Sequence, residues 1–136
     1  MRSLLLLLSG VTLLTADVLT RVSKHADHFG AVSRQIWETP ELGFAETKSS
    51  GLLQDALRSH GFAIQGGIAG MPTAFAASWG SGKPVIVLMG EFDALPGLSQ
   101  KDIPIQEPLR MGAPGHGCGH NLLGLPRVQG QDARAG

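Results

Sequence analysis

The chain has 136 residues, 43% of them hydrophobic and 16% charged, which fits a globular domain and excludes a disordered tail or a fibrous repeat. Eleven basic residues balance eleven acidic ones, so charge makes no case for nucleic acid, whose phosphates require a concentrated positive face. Nineteen glycines and eight prolines imply many turns and tightly built loops, and the single cysteine excludes an internal disulfide, leaving its thiol as a core group, a nucleophile or a metal ligand.

Met1-Arg2-Ser3 precedes an apolar stretch from Leu4 to Leu14 that closes on Thr15-Ala16. A short basic start, an apolar stretch of about a dozen residues and a small residue match a secretory signal peptide over 1–16, and the run is too short to span a bilayer as a helix. Export to the periplasm or medium is the expectation if this segment is cleaved; the alternatives are an apolar helix packed on a cytoplasmic domain or a misplaced start codon.

From Asp17 to Glu38 the pattern is helical, with Val18, Val22, His25, Phe29, Val32 and Ile36 on one face. His25 on that stripe reads as a packed or edge histidine, not a ligand. Pro40 stops the helix near Glu38. After the connector 40–46 a second helix is expected from about Glu46 to His60, with Leu52, Leu53, Ala56 and Leu57 as its apolar face and Gly61 just past its end. Residues 62–64 and 73–79 read as strands joined by a glycine-rich turn.

Pro84-Val85-Ile86-Val87-Leu88-Met89-Gly90 is apolar without alternation, the pattern of a strand buried on both faces. It leads into Glu91-Phe92-Asp93, and carboxylates at the end of a buried strand stand where open α/β sheets hold their sites. Residues 98–114 read as a loop covering that site. Leu122-Leu123-Gly124 begins a possible helix, and 125–136 has no periodicity. The expected architecture is α/β: two helices, then a mixed sheet whose buried strand ends in the site, forming an incomplete domain over 17–124 with an irregular tail beyond it.

Gly115-His116-Gly117-Cys118-Gly119-His120-Asn121 carries the chemistry. Thiolate and imidazole are preferred zinc ligands, and residues two apart in extended or turn backbone point to the same side, so Cys118 and His120 can converge on one ion. The intervening glycines let the backbone turn tightly. Three ligands at once are harder to place, which leaves His116 beside the metal or facing substrate. A rival reading makes Cys118 a nucleophile and His120 its base, although such a base usually comes from elsewhere in a fold. Glu91 and Asp93 can bind the ion or hold a histidine ligand in place; their bland role is a solvated strand end.

Pro40-Glu41-Leu42-Gly43-Phe44-Ala45-Glu46, Gly70-Met71-Pro72-Thr73-Ala74, Glu91-Phe92-Asp93-Ala94-Leu95-Pro96-Gly97 and the cysteine–histidine loop occur in this order. Together they resemble the amidohydrolase branch of the aminoacylase and carboxypeptidase-G-like metallopeptidases, in particular its p-aminobenzoyl-glutamate hydrolase and dipeptidase-like members. The resemblance covers roughly residues 30 to 124. It implies that Cys118 and His120 are metal ligands and that Asp93 supports the metal from beside it. Glu91 stands where many relatives carry a histidine ligand, and Asn121 lies beside the motif as a substrate or supporting group. It also implies two divalent ions per site, zinc or manganese, whose activated water attacks the amide carbonyl of an N-acyl or aroyl amino acid, a p-aminobenzoyl-glutamate-type conjugate or a dipeptide. Homo-oligomers are expected of the full-length parent. The family's general-base glutamate, its further histidines and its second domain are expected beyond residue 124, so this chain is expected to bind metal weakly and hydrolyse nothing. The alternative is a truncated, non-catalytic fragment or an exported metal-binding interaction module.

Overall fold

The computed structural model of the chain describes Thr20 and residues 22–120. The leader-like segment 1–16, Val18, Asn121, the possible helix from 122 and the tail 125–136 lie outside the described residues.

Helix α1 runs Ala26–Trp37 and helix α2 runs Thr47–Ser59. Helical backbone is already present at 22–24, and a turn at His25 divides the expected first helix. The apolar stripe does what its spacing requires. Phe29, Val32 and Ile36 of α1 meet Leu53, Ala56 and Leu57 of α2 and Phe62 in one buried cluster, with Ile36 fully enclosed. Burying each large side chain contributes roughly 1.5–3 kcal/mol. Helix α2 ends as Gly61 predicts. Gly61 takes a φ of 84°, its N–H donates to the Arg58 carbonyl, and the Phe62 N–H reaches back to the Leu57 carbonyl at 3.1 Å.

Strand β1 (Ala63–Gly66) pairs antiparallel with β2 (Phe75–Ser78), Ala63 opposite Ser78. A turn containing a short 3-10 segment, Ile68–Gly70, joins them. Helices, hairpin and α/β class follow the sequence order, but the mixed sheet and its buried strand do not. The described sheet has two strands, paired antiparallel. Val85, Ile86, Val87, Leu88 and Met89 run without strand assignment and are 49–93% exposed. Burial on both faces requires neighbouring strands and covering helices, and among the described residues none covers this run. No helix of the described residues is long and apolar enough to cross a membrane.

Candidate metal centre

The segment after the exposed run re-enters the fold through Phe92, which packs against the core and lies 6.3 Å from the Phe75 ring. The Ala94 N–H donates to the Glu41 carbonyl at 2.7 Å, and Leu42 bridges Ala94 in parallel sense. Glu41 also works at its other end. Its carboxylate accepts from the Lys48 N–H at 3.0 Å and the Ser49 N–H at 2.8 Å, capping the first turn of α2 from outside the helix. Partial burial pushes the Glu41 carboxyl up, but these two N–H donors and the nearby Lys48 charge outweigh it and hold the group below its ordinary value.

Residues 98–114 fold back on themselves. The Ser99 N–H donates to the Ala113 carbonyl, the Gly115 N–H to the Leu95 carbonyl and the Cys118 N–H to the Asp93 carbonyl. This antiparallel course closes the loop and lays the cysteine–histidine segment beside the carboxylate-bearing one. Inside the loop, Gln100 holds the Lys101 and Ile105 carbonyls and the Glu107 N–H, while Lys101 pairs with Glu107. The expected cover over the site is therefore a self-bonded loop whose base builds the site.

At that base three donors converge. Glu91 Oε1, Cys118 Sγ and a His120 nitrogen are the metal-capable group found among the described residues, with ligand atoms within 4.8 Å of one another. His120 Nδ1 lies 2.9 Å from Cys118 Sγ and 2.8 Å from Glu91 Oε1, and the sulfur lies 3.8 Å from the same oxygen. Ligands on one tetrahedral zinc stand about 3.4 Å apart, a value these distances bracket. Sulfur, imidazole nitrogen and carboxylate oxygen are all zinc donors, so the residues present fit a divalent ion. Glu91 and His120 are exposed and Cys118 is half-buried, which leaves the group open on one side.

A thiol–imidazole–carboxylate set also suggests nucleophilic catalysis, but the ring is turned the wrong way for it. A relay needs one ring nitrogen on the nucleophile and the other on the orienting acid. Here Nδ1 faces both. A single nitrogen facing both sulfur and oxygen is compatible with a ligand set.

The other sequence-predicted residues are placed differently. Asp93 reaches Cys118 through its main-chain carbonyl, and its carboxylate lies beside Gly43, apart from the three converging donors. His116 stacks on Trp37 with ring centroids 3.5 Å apart, and its two nitrogens face the Trp37 and Gln100 carbonyls at 3.0 and 2.6 Å. It pins the loop to the end of α1. Trp37, with Arg34 over its ring at 4.3 Å, escapes sequence reasoning because only the fold brings it beside residue 116. Glu46 is also missed: it is buried and accepts from the Thr73 hydroxyl at 2.5 Å, fastening the start of α2 to the turn before β2.

No family model matches the chain. Over 94 residues it is 50% identical to a subunit of the p-aminobenzoyl-glutamate hydrolase of Escherichia coli (strain K12), covering 68% of this chain and 20% of that protein. It is 31% identical over 113 residues to Xaa-Arg dipeptidase of Mus musculus, covering 76% of this chain and 22% of that one. Thermostable carboxypeptidase 2 of Saccharolobus solfataricus (strain ATCC 35092 / DSM 1617 / JCM 11322 / P2) is 32% identical over 92 residues, with 66% and 23% covered. The chain thus spans between a fifth and a quarter of the length of these relatives, all named as hydrolases or peptidases. It belongs to the amidohydrolase branch of the aminoacylase and carboxypeptidase-G-like metallopeptidases.

Proposed function

We propose that this chain carries one metal-binding part of an amide-bond hydrolase acting on N-acyl or aroyl amino acids, p-aminobenzoyl-glutamate-type conjugates or dipeptides. The observation that carries the reading is the convergence of Glu91, Cys118 and His120. These three would hold one divalent ion, zinc or manganese, with at least one coordination position left for other groups. Such an ion, when bound, polarises an amide carbonyl and makes water a competent nucleophile. The chain's own residues do the positioning. The Asp93 carbonyl fixes the Cys118 backbone, His116 clamps the loop on Trp37 and Gln100, and the loop closure keeps Glu91 opposite His120. Names of the similar proteins support the substrate class.

Zinc titration of the purified chain against Cys118→Ser tests the ligand assignment. We expect the variant to lose at least ~10-fold in affinity; equal affinity overturns it. A second reading, a non-catalytic metal-binding chain, is favoured by the donor count, because three protein donors serve one ion and not the pair of the family. Assaying p-aminobenzoyl-glutamate hydrolysis with added zinc or manganese separates the two. Export through residues 1–16 is part of the proposal, and an intact Met1 on the mature protein counts against it.

A further inference from the structure

The run 85–89 takes no part in the candidate centre and has no cover in the described fold. Val85, Ile86, Val87, Leu88 and Met89 are all exposed. Successive side chains of extended backbone point to opposite faces, so both faces of the segment meet solvent. From 85 to 93 the backbone makes neither turn nor bend, and among the described residues no main-chain hydrogen bond engages 85–90. A straight, β-branched segment with both edges open is a template for a further strand.

Charge and register select a second copy of this chain as that strand. The run itself is uncharged, so two copies meet without repulsion, and only its ends carry charge. Exposed Lys83 precedes it, and Glu91 and Asp93 follow it. Antiparallel pairing lays each copy's basic end against the other copy's acidic end, whereas parallel pairing sets like against like. The apolar residues then fix the register. With the two-fold axis at Val87, Val87 faces itself, Ile86 faces Leu88 and Val85 faces Met89. An axis at Leu88 would set Val85 opposite Glu91, and an axis at Ile86 would set Met89 opposite Lys83. Chain direction changes at the bend over 82–84, and Pro84 has no N–H to carry a ladder past Val85.

We infer that two copies of this chain associate through 85–89, paired antiparallel about a two-fold axis at Val87. The interface is isologous: each copy offers the same segment and receives the same segment. A two-stranded pairing is marginal by itself, so the dimer forms reversibly and its fraction rises with chain concentration.

Sedimentation equilibrium of the 136-residue chain measures the dimer constant. A chelator is present so that no ion bridges two candidate centres, and a reductant so that Cys118 forms no disulfide between copies. Val87→Lys and Val87→Glu each set like charges opposite one another across the axis, while mixing the two variants sets opposite charges there. We expect each variant alone to dimerise at least ~10-fold more weakly than the native chain, and the equimolar mixture to recover dimer. Val87 is 74% exposed, so both substitutions leave the far-ultraviolet circular dichroism unchanged. A native chain that stays monomeric, variants that dimerise as it does, or a mixture no more dimeric than its parts overturns the inference. So does a monomer whose thermal midpoint falls on Val87→Lys, because the run is then covered by its own chain.

Discussion

A Cβ built on Gly117 would overlap the Ile36 carbonyl oxygen, far inside any real contact. The glycines of the motif suggest tight turning, yet Gly115, Gly117 and Gly119 are not among the glycines with positive φ. Gly117 is required because the backbone passes hard against the end of α1, while Gly115 is only tight, a Cβ there meeting the Leu98 carbonyl oxygen at 3.0 Å. Gly119 has ordinary room, with Ser33 Oγ at 4.0 Å. Gly117→Ala is therefore expected to cost about 1–3 kcal/mol, while Gly119→Ala stays within about 0.5 kcal/mol. Thermal denaturation followed by circular dichroism checks the pair, and equal midpoints would contradict the close approach. Cys118 and His120 are legible in the sequence as candidate donors because thiol and imidazole chemistry is local. The reason for their glycine neighbours is not, because it depends on a helix far earlier in the chain.

Helix α2 has no side-chain cap from its own N-cap residue, Glu46, and takes one from Glu41. A carboxylate held below its ordinary value stabilises the fold above its unfolded value, near 4.5, and loses that contribution as the pH falls through the lower folded value. The native chain should thus lose helix stability on acidification through and below the ordinary carboxylate range. Glu41→Gln should be less stable by about 1 kcal/mol near neutrality and should show a shallower acid limb. Thermal midpoints at a series of pH values read both, and parallel acid limbs would remove Glu41 from this role. Periodicity locates both helices because each buries one face, and Gly61 marks the end of α2 because its αL turn favours glycine. The run 85–89 misleads for a related reason. Hydropathy reports what a segment would bury, while burial itself depends on neighbours that a local pattern does not contain.

The described molecule rests on one small core, seven buried side chains around the α1–α2 contact. Leu53 is 2% exposed at its centre. Leu53→Ala should cost about 2–5 kcal/mol, a large share of the stability of any domain this size. The expected outcome is loss of the cooperative thermal transition at temperatures where the native chain still melts cooperatively. A retained sharp transition with an unchanged midpoint would mean that stability resides elsewhere. The centre depends on this core at one remove, since Phe92 anchors the carboxylate segment and Ile36 abuts the thiol segment.

The hydrogen bonds at the base of the 98–114 loop have a consequence for how such a protein can change. They close the loop below its tip, and with the His116 contact to Gln100 they leave residues 102–104 free of the task of holding the donors together. Each doubling of a loop's length adds only about 0.6 kcal/mol of closure entropy. Insertions near residues 102–104, or replacement of that stretch by a different sequence, would leave the three donors in register. Variation in shape and recognition can accumulate at the tip, while the chemistry below is inherited unaltered.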